Sequence, residues 1–204
     1  MDSLIRIDTW LFLHLNAGVA NSFFDWLMPI VTNLRYYRVP LALALAALAI
    51  FGGGKGRSVV LLALITVTLT DQLASSVLKP LIERARPCHV VEGARAITGC
   101  GNTLSFPSGH ATTSMAAAIF FGLLYRRWLW PLIAFSVIIS YSRIYIGVHY
   151  PSDLAGGWII GGAVAWGIVC FYRSFLQQRM ERWRLFRPRW SPDPSAGSRH
   201  PLSR

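Results

Sequence analysis

The sequence predicts an all-α fold, a polytopic membrane bundle of about six transmembrane helices with an interfacial helix at the N-terminus. Three observations predict it. Hydrophobic residues make up 53% of the 204 residues, and only 14% are Asp, Glu, Lys or Arg, against roughly a quarter charged in a soluble domain. Apolar runs long enough to cross a bilayer recur with few charges inside them. The positive charge gathers at some segment ends and avoids the segment interiors. One membrane domain is expected, with no separate soluble domain.

Residues 3–16 alternate charge and bulk as an amphipathic helix does. Asp2 and Asp8 stand where a cleaved signal peptide carries its positive residues, so this stretch is expected to lie at the membrane interface. Six apolar segments follow, at about 18–35, 38–52, 57–79, 109–125, 128–147 and 152–175. Asp25 and Pro29 interrupt the first of them, and the second is short. Polar turns at Gly52–Arg57 and Arg126–Arg127 separate neighbours, and residues 80–108 form the one long loop. The membrane domain is expected over 1–175, with its core at 57–170 and a basic tail at 176–204.

Formal net charge is +11. Residues 173–204 hold eight arginines against Glu181 and Asp193, interleaved with aromatics as far as Trp190. Nucleic acid is one partner for such a stretch. Anionic headgroups beside the last membrane helix are the preferred one, so no nucleic acid and no protein partner is expected. From Ser191 the composition is that of a disordered tail.

Lys55, Arg57, Arg126, Arg127 and the tail fall on one side of the bundle, which the positive-inside bias makes cytoplasmic, the C-terminus included. If all six segments span, the N-terminus joins it there. The opposite, extracytoplasmic side receives the end of the third segment at Lys79, the start of the fourth at His110, the end of the fifth at Arg143 and the start of the sixth at His149 and Asp153. Antiparallel connection brings these four ends together. The loop cations Arg84 and Arg95 lie on the same side. So do Cys88 and Cys100, which an oxidising compartment lets pair, the alternative being two free thiols. Their spacing does not suit a zinc site, and no metal is expected.

His149 and Asp153 are four apart, on one face of a helix start. A carboxylate on imidazole Nδ1 leaves Nε2 unprotonated and nucleophilic. The alternative is a loop histidine beside an acid favoured by the helix dipole. His110 follows Pro107-Ser108-Gly109 at a helix start, where free N–H groups, a close-approach glycine and a hydroxyl suit an anion. The plainer reading is a serine cap with an incidental histidine. Lys79, Arg86 and Arg143 form a cationic clamp. Each alone can be a snorkelling residue, but all three run against the charge bias of their side. Asp71, inside an apolar helix, is expected to be a counter-ion to one of them, or else to be satisfied by Thr and Ser neighbours.

These residues suit phosphoryl transfer without metal or cofactor. His149 attacks phosphorus and His110 protonates the departing oxygen. Water then attacks the phosphohistidine with His110 as base, and Asp153 steadies the imidazole.

Lys79–Pro87, Pro107–His110 and Ser142–Arg143 with His149 and Asp153 together resemble the three signature motifs of the type 2 phosphatidic acid phosphatase superfamily. The resemblance covers about residues 57–170, and every signature position is present. It implies a six-helix membrane lipid phosphatase with His149 as nucleophile and His110 as general acid. The surrounding words resemble small bacterial members that act on undecaprenyl diphosphate, phosphatidylglycerol phosphate or lipid A phosphates. Undecaprenyl diphosphate is the first expected substrate. A lipid phosphotransferase, a vanadate-dependent haloperoxidase and a non-catalytic lipid-binding or transport protein are the rival classes.

Overall fold

The computed structural model describes residues 2–177, and these are all helix and loop. The basic tail expected over 176–204 lies outside the described residues from position 178 onward. Seven helices exceed ten residues: α1 Asp2–Leu13, α2 Ser22–Thr32, α3 Arg38–Phe51, α4 Gly53–Gln72, then α7 Gly109–Leu124, α8 Leu129–Tyr145 and α9 Pro151–Phe171. Two single-turn helices lie between α4 and α7: α5 Lys79–Ile82 and α6 Pro87–Val90. Compact packing of the first unit ends at Val169. Beyond it, Cys170 and Phe171 complete α9, and Tyr172–Gln177 form a π-helical turn.

A π-helical stretch, Leu73–Leu78, joins α4 to α5 without a break, so residues 53–82 form one rod of about 45 Å. It stops at Glu83, whose φ of 52° turns the chain out of the helix. The segments Gly53–Val90 and Pro151–Ser174 are long and apolar enough to cross a bilayer. The bundle leaves large apolar side chains such as Leu43, Leu61, Leu64 and Ile159 uncovered. That is the surface expected where the surrounding medium is itself apolar.

α7 packs against α8 on one side and α4 on the other, and α3 packs on α4. α9 approaches α7 through small residues. A Cβ at Gly161 would stand 2.1 Å from the Thr112 carbonyl oxygen, and one at Gly157 would stand 3.0 Å from the Ala111 Cβ. These glycines are there for close helix packing.

The first apolar segment departs from expectation. It was expected to span over 18–35, but the helix is only the 11 residues Ser22–Thr32, about 16 Å of rise against about 30 Å of hydrocarbon. Asn21 starts it by accepting the Phe24 N–H through its side chain, and Asn33 leaves the helical region at its end. Both ends stay with the motif side of the bundle. Tyr145 bonds the backbone of Asn21, and Thr32 bonds Arg143. α1 lies on that side as well. Phe12 is buried with Ala111, Ile144, Tyr150 and Leu154. Asn16, fully buried, donates to the carbonyls of Arg95, Ile144 and Tyr145 and accepts the Arg95 N–H.

Candidate active site

Three helix ends build the site. α8 closes in a Schellman arrangement: the Val148 N–H bonds the Arg143 carbonyl at 3.1 Å, and the Gly147 N–H bonds the Ile144 carbonyl at 2.9 Å. Gly147 has φ +89°, and a Cβ there would lie 2.2 Å from the Arg95 carbonyl oxygen. The motif spacing from Arg143 to His149 is thus the length of a helix cap plus a short turn. α9 opens with Pro151 in its first turn and Asp153 in the third position. The carboxylate of Asp153 accepts the Tyr150 N–H at 2.8 Å, as the acidic member of a capping box does.

The same carboxylate is fully buried and holds the neighbouring side chains together. Nδ1 of His149 donates to its Oδ2 at 3.4 Å, because an ionised carboxylate can only accept. The Ser105 hydroxyl donates to the same oxygen and lies 3.5 Å from His149 Nδ1. Nδ1 is therefore committed, and Nε2 is the nitrogen left for chemistry. Burial first, and then the field of Arg143 and Arg86, push the His149 pKa down to about 4 against the opposing pull of Asp153. The imidazole is neutral at pH 7.

α7 begins at Ser108, the N-cap, whose own N–H bonds the Asp153 carbonyl at 3.1 Å. Its hydroxyl is buried with no partner among the described residues. His110, the second residue of α7, donates from Nε2 to the Thr32 carbonyl at 3.2 Å. Of the cations, Lys79 donates to the Leu104 carbonyl, Arg86 to the Cys100 carbonyl and the Thr103 hydroxyl, and Arg143 to the Thr32 hydroxyl at 2.7 Å. Nε of Arg86 and Nε of Arg143 are buried without partners among the described residues. Charge–charge interaction links Lys79 with Arg86, Asp153, Arg143 and Asp71, and His110 with Arg143, His149 and Arg86. The scattered motif residues thus share one locale. A disulfide between Cys88 and Cys100, with Cα atoms 5.9 Å apart, fixes the loop whose carbonyl Arg86 engages.

Asp71 interacts electrostatically with Lys79, one of the clamp cations, in the sense expected of a counter-ion. It makes no direct ion pair among the described residues, and its carboxylate lies 3.9 Å from where a Cβ on Gly109 would stand. The cation in direct contact with a site carboxylate is Arg84, which the sequence offers only as a loop cation. Its Nη1 meets Asp153 Oδ1 at 2.7 Å, and its Nη2 meets Asp8 at 2.6 Å. Asp8, Ser105 and Thr32 also escaped the sequence reading. The one available signal was a carboxylate at position 8 in a helical run of mostly apolar residues.

Cations that keep buried Nε–H groups without partners among the described residues, around a neutral imidazole at one end of a lipid-exposed bundle, define a class: membrane enzymes that handle phosphate. The PAP2 superfamily profile matches residues 60–177, and the chain belongs to that family. It is a membrane lipid phosphatase, a phosphoric monoester hydrolase. A lipid A 4′-phosphatase of Bacteroides thetaiotaomicron is 34% identical over 81% of this chain and 77% of its own length. The undecaprenyl-diphosphatase BcrC of Bacillus subtilis is 33% identical over 76% and 78%. The crystal structure of a transmembrane PAP2-type phosphatidylglycerolphosphate phosphatase from Bacillus subtilis superposes with a TM-score of 0.68, covering 86% of this chain and 89% of that one at 22% identity. That last likeness speaks for the fold.

Proposed function

We propose that the protein removes the phosphate monoester from a lipid A-type glycolipid at the outer face of the cytoplasmic membrane, through a phosphohistidine at His149. The carrying observation for the chemistry is that three buried donors at these helix ends, Arg86 Nε, Arg143 Nε and the Ser108 hydroxyl, have no partner among the described residues. Buried polar groups are normally satisfied, and phosphate oxygens suit these donors. Lys79 and the first N–H groups of α7, from Gly109 onward, complete the cradle. His149 Nε2 attacks phosphorus, and the phosphorus–oxygen bond to the lipid breaks. His110, as the imidazolium, gives its Nδ1 proton to the departing oxygen while its Nε2–H stays on the Thr32 carbonyl. Water then attacks the phosphohistidine, His110 takes the water's proton, and inorganic phosphate leaves. Asp153 supports the imidazolium formed on the way.

The substrate follows the relatives. Besides the Bacteroides protein, a lipid A 4′-phosphatase of Porphyromonas gingivalis is 28% identical over 90% of this chain. These two favour a lipid A phosphate over undecaprenyl diphosphate, the substrate first expected from the sequence. The BcrC likeness keeps undecaprenyl diphosphate as the second reading.

The site lies outside in this proposal, because the opposite turns carry Lys55, Arg57, Arg126 and Arg127. α3, α4, α7, α8 and α9 cross, while α1 and α2 stay at the outer side, giving five crossings rather than six. The arginine-rich residues 176–204 rest on anionic headgroups at the cytoplasmic face.

Phosphate release by purified protein in detergent, with chelator present, tests this. The panel is lipid A, undecaprenyl diphosphate, phosphatidylglycerol phosphate and phosphatidic acid, beside a His149→Ala control. Preferential release from lipid A, lost in the control, supports the reading. Preference for undecaprenyl diphosphate moves it to the second. Release that survives His149→Ala rejects the phosphohistidine.

A further inference from the structure

We infer that Arg84 is a positioning residue for the His149–Asp153 pair, and that Asp8 of the N-terminal helix holds it in place. The inference rests on His149 acting as nucleophile. Arg84 uses both ends of its guanidinium fork on protein groups. Nη1 donates to Asp153 Oδ1 at 2.7 Å and to the Ser152 hydroxyl at 2.6 Å, and Nη2 donates to Asp8 Oδ2 at 2.6 Å. Its face lies over the Tyr150 ring, 3.9 Å from the centroid. Asp8 completes the knot by accepting the Ser152 N–H at 2.9 Å and the Ser152 hydroxyl. A helix at the start of the chain thereby supplies a cap to the first turn of α9.

This arrangement divides the work of Asp153. One oxygen receives His149, Ser105 and the Tyr150 N–H. The other receives Arg84. The carboxylate is wholly buried, and a buried charge needs its partners. Arg84 therefore differs in kind from Arg86 and Arg143, each of which keeps a buried Nε without a partner. Those two are free to meet phosphate. Arg84 is spent on protein groups and acts on the reaction only through Asp153.

Losing the Arg84 cation concentrates the Asp153 charge on the imidazole and raises its basicity. The other charged or titratable groups facing His149 stay in place: Asp153 on α9, Arg143 on α8, Arg86 on the long loop and His110 on α7.

The test is the pH profile of kcat/KM for phosphate release from lipid A in detergent. The proteins are wild type, Arg84→Gln, Arg84→Lys, Asp8→Asn and the Asp8→Asn/Arg84→Gln double variant, each checked for folding by thermal melt. Arg84→Gln is expected to lower kcat by about 10- to 100-fold, the usual range for groups that orient a reacting ligand. KM should change by no more than about threefold, because uniform binding is intact. The acid limb should move up by about one pH unit. Lysine should recover most of both effects. Asp8→Asn should lower kcat by itself and add almost nothing to Arg84→Gln, the mark of coupled residues. An unshifted acid limb in folded Arg84→Gln, or effects of the two substitutions that simply multiply, overturns the inference. If Arg84→Gln fails to fold, Arg84→Lys and Asp8→Asn carry the same comparison. Wild type that turns over but loses nothing on substitution at Arg84 sinks this role alone. Wild type that releases no phosphate from lipid A sinks the lipid A reading, and the same comparison is then read on the lipid phosphate that wild type does hydrolyse.

Discussion

The Thr32 hydroxyl accepts a hydrogen bond from Arg143 Nη1 at 2.7 Å, joining residues 111 positions apart. The carbonyl of the same Thr32 lies 3.2 Å from His110 Nε2. The end of the short helix α2 thus holds one cation and one histidine of the site in register, with Arg143 Nε left over.

Thr32→Val keeps the volume and the carbonyl but removes the hydroxyl. One lost hydrogen bond of about 1 kcal/mol corresponds to about a fivefold fall in kcat/KM. The fall should appear in KM, because Arg143 is proposed to bind phosphate in ground and transition states alike. Steady-state kinetics on the preferred lipid phosphate check it, and an unchanged KM assigns Thr32 to folding alone.

His149 is the pH-sensitive group to watch. Burial lowers its pKa from 6.5 to about 4. As the neutral form of His149 is the proposed nucleophile, kcat/KM should fall on an acid limb near pH 4 as that imidazole takes up a proton. Asp153 opposes the lowering, so Asp153→Asn should push that limb lower still while reducing kcat. Stability follows the same sign. The unfolded chain binds the His149 proton more readily, so this contribution is complete above pH 6.5 and is lost as pH falls toward 4. A pH–rate profile and a pH series of thermal melts measure the two effects separately.

Cys88→Ser should act twice. It opens a loop with a sequence separation of 12, which the chain-entropy account values at about 3 kcal/mol. It also loosens the Cys100 carbonyl that Arg86 engages, so kcat/KM should fall in protein that still folds. Protein made in an oxidising compartment should yield alkylatable Cys88 and Cys100 only after reduction.

Gly161→Ala should destabilise by about 1–3 kcal/mol, since its Cβ meets helix backbone rather than a movable side chain. Gly167→Ala is the matched control in the same helix, because nothing lies within 4 Å of its Cβ. The control should be neutral or slightly stabilising. Thermal melts in detergent compare the pair.

Five crossings make a sharp labelling pattern. Ser3→Cys and Glu92→Cys, both at exposed positions, should react with an impermeant maleimide in intact cells. Lys55→Cys, also exposed, should react only after lysis. Six crossings would instead put Ser3→Cys in the protected class with Lys55→Cys.

Much of this molecule was legible in the sequence because membrane helices announce themselves by composition and their ends by charge. Lys79, His110, Arg143, His149 and Asp153 sit at segment ends, so antiparallel connection alone suggested that they meet. The sequence was silent where tertiary contact decides. Segment 18–35 is apolar enough to count as a span, yet asparagine capping at Asn21 and Asn33 leaves a helix of 11 residues. Arg84 and Arg95 read alike as loop cations, but one meets Asp153 and the other Asp25. Asp71 shares a rod with Lys79 and interacts with it electrostatically as a counter-ion does, but helical phase gave no hint that Asp8 also lies at the site.

The PAP2 profile begins at residue 60, whereas Asp8 bonds Arg84 and Thr32 bonds Arg143, both at the proposed centre. The stretch shared across the family and the stretch that makes up a working centre are therefore not the same piece of chain. A graft exchanging residues 2–32 between two relatives would transplant part of the machinery, and any change in lipid preference or pH response could travel with it.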